Sequence, residues 1–263
     1  MVSTSFSFGE RKFGQTYAIR ILLALILLGP VLLAWFVVDN PRQPGPILVS
    51  ASVVMGVITV TLWILIGKTI LTLSDAGIRR ESVLGSQEIL WTQIAETRYL
   101  VTPIRVSAHF GLIGMLIGAF AKTSNVNLTL RVIGTGGQQI KVTSNFQGAK
   151  EAIGAILGRI LPGMVSEARA SIERGGTVQF GPLTLSKTVI SWKAGTSLPL
   201  TEVESAEIVA SKLRVKRVGK LLAAFSTRSD KVPNVLVFLE VLESLVPRLK
   251  ASAAVDPLAR VRL

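Results

Sequence analysis

A chain of 263 residues is too long for one small domain and suits two of modest size. Its hydrophobic fraction of 49% and mean hydropathy of +0.53 exceed what a soluble protein of this length normally carries. The net charge of +13 asks for an anionic partner, and a nucleic acid ranks low because neither a basic helix nor a groove-reading motif is present. Zero cysteines accord with a reducing compartment without proving one.

The apolar surplus lies near the front. Residues 17–38 and 46–67 form two runs, with Arg20 the one charge inside the first and none in the second. A spanning helix needs about 20 mostly apolar residues. Both runs meet that length, so they predict a transmembrane helical hairpin over residues 17–68, turned by Pro41, Pro44, Gly45 and Pro46. A cleaved signal peptide is the weaker reading, since no small-x-small site follows Trp35-Phe36-Val37-Val38. Arg11, Lys12 and Arg20 precede the hairpin, Lys68, Arg79 and Arg80 follow it, and the loop holds only Arg42. That bias places both termini on the cytoplasmic side of a multi-pass inner-membrane protein.

Behind the hairpin the chain repeats itself. Leu71-Thr72-Leu73-Ser74, followed by Ile78, returns as Leu183-Thr184-Leu185-Ser186, followed by Ile190. Leu90-Trp91-Thr92-Gln93-Ile94 is echoed by Pro199-Leu200-Thr201-Glu202-Val203. Two tandem copies of one strand-rich unit follow from this order. In the first copy, β-prone residues predict strands at 70–73, 78–84 and 89–100, with a bend near Ala95. Residues 126–133 and 138–142 read as a hairpin turned by Gly134-Thr135-Gly136-Gly137. A capping-box pattern at Ser144-Asn145-Phe146-Gln147 opens a helix whose stripe includes Phe146, Ile153, Ile156, Leu157 and Ile160, with Pro162-Gly163 as its end. Val235, Phe238, Leu242, Leu245 and Leu249 trace the second copy's helix. The predicted division is therefore an N-terminal segment 1–16, the hairpin 17–68, a first domain 69–163, a linker 164–176, a second domain 177–250 and a basic tail 251–263.

Antiparallel strands closed by one C-terminal amphipathic helix, carried here by "LTLSDAGI", "ILWTQIAE" and their echoes "GPLTLSKTVI" and "LPLTEVES", resemble the pleckstrin-homology superfold. The chain is similar to bacterial membrane-anchored proteins with tandem PH-like domains. That resemblance implies an α+β membrane protein, a two-helix transmembrane hairpin followed by two PH-like β-barrel or sandwich domains, each closed by a C-terminal helix. Val189 stands where the first copy has the turn residue Gly77, which puts the turn geometry of the second copy in question.

Two surfaces are candidate sites. Lys212, Arg214 and Lys216 alternate with Leu213 and Val215, and Arg217 and Lys220 follow; on a strand the basic residues share one face. The resemblance makes these lipid-headgroup candidates, against a plain solvated face or a protected sheet edge. The uncharged insert 109–121 offers Phe110, Leu112, Ile113, Leu116, Ile117 and Phe120 as membrane-contact residues, against packing on the protein's own sheet. His109 lacks partners for a metal or a catalytic triad, and no phosphate-binding loop is present, so neither metal nor cofactor is expected and the chain reads as a non-enzyme. The function expected from sequence is a membrane-anchored scaffold that presents tandem domains to a protein partner, with contact to anionic lipid. The alternative is an accessory or regulatory subunit of a membrane enzyme or transporter.

Overall fold

A computed structural model describes residues 10–14, 50, 53–54, 56–58, 60–61, 69–103, 126–144, 146–192, 195–209, 211–247, 249 and 261–262. The described chain is mostly antiparallel β-sheet, and it is built twice on one plan. In the first copy, β1 (Arg11–Phe13), β2 (Ile70–Leu73), β3 (Gly77–Ser82) and β4 (Gly85–Leu90) form one sheet in sequence order. A second sheet holds β5 (Ile94–Pro103), β6 (Val126–Gly134) and β7 (Gln139–Thr143), followed by helix α1 (Ala149–Glu173). In the second copy, β8 (Val178–Phe180), β9 (Leu183–Leu185), β10 (Val189–Trp192) and β11 (Ser197–Pro199) make the four-stranded meander. Then β12 (Val203–Val209), β13 (Lys212–Arg217) and β14 (Ala223–Arg228) make a three-stranded meander, which Val261–Arg262 extends to four strands on the β12 side, and α2 (Val235–Leu245) follows β14.

The repeat begins earlier than the sequence suggested. Strand β1 pairs with β2 so that Phe13 faces Leu71. Strand β8 pairs with β9 so that Phe180 faces Leu183. The registers are equivalent. Gly181 and Pro182 join β8 to β9, whereas residues 14–69 lie between β1 and β2. The segment holding both apolar runs thus leaves and returns at cross-strand neighbours of one sheet. The glycine after the first strand meets the segment before the helix in each copy. Gln147 donates its backbone N–H to the Gly14 carbonyl at 2.7 Å. A Cβ on Gly181, whose φ is +61°, would lie 2.6 Å from Pro233 Cδ.

This architecture corrects the expected α+β membrane fold, its transmembrane hairpin and the multi-pass inner-membrane placement. No helix among the described residues is long and apolar enough to cross a membrane. Helical residues of the second run are described between Ser50 and Thr61, and the rest of that run lies outside the described residues. Helix α1 has the length, but Lys150, Glu151, Arg159, Glu167, Arg169 and Glu173 give it a polar face. The first run, 17–38, lies outside the described residues.

Turn chemistry explains why one sequence echo builds one structure. Ser74 Oγ and Ser186 Oγ each accept from the backbone N–H three residues on, at 3.3 Å and 3.1 Å. Ser74 N–H donates to the Gly77 carbonyl and Ser186 N–H to the Val189 carbonyl, both at 3.0 Å. Gly77 has no positive φ, so a valine replaces it without strain. The expected strand 89–100 is divided by a 3-10 turn at Trp91–Gln93, matched by Leu200–Glu202. A bulge follows each turn, at Ala95 and at Glu204.

By spatial contact the chain divides into residues 1–88 with 145–147, and residues 89–144 with 148–263. Within the larger unit, α1 buries Ile153, Ile156, Leu157, Ile160, Leu161, Val165, Ala168 and Ile172 on one face. It packs on β6, β7, β8 and α2, while α2 also packs on β5. Pro162 does not end α1, because the buried stripe continues past it. Nor does Ser144 cap the helix: its Oγ accepts from Leu128 N–H on β6 at 2.7 Å, and α1 starts after left-handed Gly148. Asn234 is the left-handed counterpart before α2. At the other end, Val261–Arg262 forms a short strand parallel to β12, placing part of the basic tail against the sheet.

Candidate functional site

Strand β13 lies between β12 and β14, so it is not the protected sheet edge that was one reading of it. Leu213 and Val215 are fully buried beneath it, and the alternation turns Lys212, Arg214 and Lys216 to the opposite face. Glu207 of β12 stands directly across from Arg214, and Ser226 of β14 flanks it on the other side. Lys212 stands opposite Arg228, a like-charge pairing that destabilises an antiparallel ladder. Asp230 relieves it, accepting from Arg228 Nε at 3.0 Å and from Nη2 at 2.8 Å. That hydrogen bond, and then the carboxylate charge, raise the Arg228 pKa above its ordinary value.

Arg217 closes the strand and pairs with Glu202 at 2.6 Å. Among the described residues, Lys212, Arg214, Lys216 and Lys220 have no carboxylate within ion-pair distance. Among the described residues, four of the five sequence-predicted basic residues thus lack an ion-pair partner, with Glu207 across the ladder from Arg214. No acidic residue occurs between Ile208 and Ser229.

The hairpin joining β13 to β14 adds a feature that the strand pattern did not reveal. Lys220 N–H donates to the Arg217 carbonyl at 3.0 Å, Gly219 takes φ +69°, and Val218 N–H donates to the Glu202 carbonyl at 2.8 Å. The turn is therefore fixed by backbone bonds, and its side chains are left to solvent. Val218 is 52% exposed, Leu222 84% and Leu221 100%. The sequence signal was present, an apolar pair directly after a Gly-Lys turn, but the alternating pattern that located the site ends at Lys216.

The first copy supplies the comparison. Leu130-Arg131-Val132 on β6 corresponds to Leu213-Arg214-Val215, and Thr135 N–H donates to the Gln93 carbonyl just as Val218 does to Glu202. Gly137 N–H donates to the Gly134 carbonyl, the counterpart of the Lys220–Arg217 bond. This tip shares those two bonds, adds a Gly134 N–H to Gln138 carbonyl bond at 2.9 Å and takes its positive φ at Gly137, one position past the equivalent of Gly219; it reads Thr135-Gly136-Gly137-Gln138 and carries no large apolar side chain. Thr129 and Ile133 occupy the positions of Lys212 and Lys216, and Arg131 stands between Arg98 and Lys141.

The two copies are joined by a polar lock inside the larger unit. Asn234 donates its N–H to the Thr97 carbonyl at 2.7 Å, and its Oδ1 accepts from Thr97 N–H at 2.7 Å and from Thr97 Oγ1 at 3.0 Å. Ser229, fully buried, donates its hydroxyl to the Tyr99 carbonyl at 2.7 Å. An asparagine side chain here takes the place of a neighbouring strand.

Phe110, Leu112, Ile113, Leu116, Ile117, Phe120 and His109 lie outside the described residues. Among the described residues, no group of three or more His, Cys, Asp or Glu side chains is arranged to hold a metal ion. An open cleft of about 460 Å³ between α1 and α2 is lined by Pro162, Val165, Ser166, Arg169, Ala170, Glu173 and Glu240. A second, of about 340 Å³, includes Glu167, Ser171, Gln179 and Asn234. A family model described as "Family of unknown function (DUF6585)" matches residues 3–248, nearly the whole described fold. No curated protein matches the chain.

Proposed function

The chain belongs to this family of unknown function, and from that premise we propose that it is a non-catalytic binding protein whose basic β13 face docks on an anionic surface, with acidic phospholipid headgroups as that surface. The repeated unit is read as PH-like: a four-stranded meander, a three-stranded meander and a closing helix, in that order, support the reading in both copies. Fold alone does not name a ligand, so the argument for docking rests on the site. The observation that carries it is the central strand with Leu213 and Val215 in the core and Lys212, Arg214 and Lys216 together on the outer face. The transmembrane anchor is no part of this reading.

Three adjacent cations are each worth about 1 kcal/mol near an anionic lipid surface. The test is flotation of the full chain on phosphatidylcholine vesicles with and without phosphatidylserine, across a salt series. The reading predicts an excess of binding to the anionic vesicles that fades as salt rises. It also predicts that K212E/R214E/K216E lowers that excess on the order of a hundredfold. Equal flotation of the parent and the triple variant would contradict it.

A further inference from the structure

Exposed leucines at a rigid turn require an explanation that the basic face does not provide. Leu221 is 100% exposed and Leu222 84%, and Val218 joins them, on a hairpin whose backbone is held by the Arg217–Lys220 and Val218–Glu202 bonds. The fold does not need them. The first copy closes the equivalent hairpin, one residue shorter and with two bonds in common, using Thr135-Gly136-Gly137-Gln138. Contiguous apolar surface rimmed by polar residues marks an interaction site.

We infer that the β13–β14 tip enters the acyl boundary of an anionic lipid surface, with Val218, Leu221 and Leu222 below the headgroups and Lys216 and Lys220 among them. This inference rests on the docking reading above and deepens it by naming the element that penetrates. Charge complementarity selects the occupant, because Lys216 and Arg217 precede Val218, Lys220 lies between Val218 and Leu221, and no acidic residue lies between Ile208 and Ser229. The shape and chemistry select it as well. A projecting tip of aliphatic residues suits an acyl layer, whereas protein hot spots favour Trp, Tyr and Arg and under-represent Leu and Val. Once the aliphatic side chains are immersed, Lys216 and Lys220 lie at headgroup level, the arrangement by which interfacial elements combine apolar burial with attraction to anionic lipid.

The chain has no cysteine, so Leu222→Cys creates a single labelling site for an environment-sensitive fluorophore. Thr135→Cys, at the polar tip of the first copy, is the control. The full-length labelled chains are mixed with phosphatidylcholine vesicles, with and without phosphatidylserine, and with a bromolipid quencher in the acyl region. The expected result is a blue shift and quenching at position 222 with anionic vesicles only, and neither at position 135. The L221S/L222S variant, which alters only solvent-exposed positions, is expected to keep the parent Tm and to bind anionic vesicles about tenfold or more weakly. Salt-dependent flotation without a spectral change at 222 would overturn insertion, leave the basic-face reading standing and assign the tip to a protein surface. Equal flotation on neutral and anionic vesicles would overturn both.

Discussion

The first and second copies share the turn bonds at Ser74 and Ser186 and two bonds of the last hairpin, yet they differ in the loops those bonds leave free. Between its first two strands the second copy has Gly181-Pro182 and the first has residues 14–69. Between β5 and β6 the first copy runs through residues 104–125, and the second crosses the equivalent gap with residues 210 and 211. At the last hairpin the relation is reversed, since the second copy carries the apolar, basic tip and the first a polar glycine turn. Conserved backbone bonds combined with divergent loop chemistry separate what the fold requires from what it presents. Loops positioned by a rigid scaffold are where binding residues are disproportionately found.

The helices sharpen the contrast, and the largest expected effect lies there. Phe238 in α2 is fully buried and meets Phe180 edge-on at 5.4 Å between ring centroids. The position equivalent by the helix starts, Ala152 in α1, is a small residue. F238A is expected to cost about 3–5 kcal/mol in chemical denaturation, and A152G only about 1 kcal/mol, its helix propensity. Similar losses at the two positions would mean that the copies do not share a core plan.

The left-handed residues before the helices come next. Gly148 has φ +71° and Asn234 φ +51°, but only Asn234 also holds Thr97. N234A combines strain with an unsatisfied Thr97 N–H, for an expected loss of about 2–4 kcal/mol. G148A should lose about 1–2 kcal/mol by backbone strain alone. N234G separates the two terms. If it is as damaging as N234A, the hydrogen bonds dominate; if it is neutral, the lock between the copies contributes nothing.

Pro162 offers an opposite sign. It sits inside α1, where proline removes a helical hydrogen bond and crowds the preceding turn. P162A is expected to stabilise by about 1–3 kcal/mol, read as a raised denaturation midpoint. A loss instead would show that Pro162 is needed to seat Val165, Ala168 and Ile172. The smallest effect belongs to the Arg217–Glu202 pair, half exposed on one side and a third on the other. R217Q should change stability by less than about 1 kcal/mol, measured at low and high salt.

Much of this was legible in the sequence, for reasons that specific residues make clear. The Leu-Thr-Leu-Ser echo and the turns behind it were readable because side-chain spacing and turn bonds are local. The bend near Ala95 and the Gly134–Gly137 hairpin were legible on the same grounds, as was the shared face of Lys212, Arg214 and Lys216. Strand β1 was not, since Phe13-Gly14 lies far from Leu71 in sequence and its match to Phe180-Gly181 is only two residues long. The apolar runs dominated the reading of that region, and hydropathy alone does not reveal that the strands on either side are paired. Pro162 read as a stop because local chemistry favours one, but burial of the stripe beyond it prevailed. Ser144 read as a cap and instead bonds a strand, a long-range choice that a capping pattern cannot encode. At the site, the basic residues were visible as an alternating pattern, whereas the tip became visible only once the turn placed Leu221 and Leu222 in solvent.

The central claim is that the second copy presents a surface that the first copy, at the equivalent hairpin, does not. It is tested most directly by grafting the first copy's tip residues, Thr135-Gly136-Gly137-Gln138, in place of Val218–Leu221, with Leu222→Ser, in the full chain. Flotation of this graft and the parent on anionic and neutral vesicles would then be compared. The account predicts a folded protein with the parent's Tm and an anionic-vesicle excess reduced about tenfold or more. A folded graft that binds anionic vesicles as the parent does would contradict it.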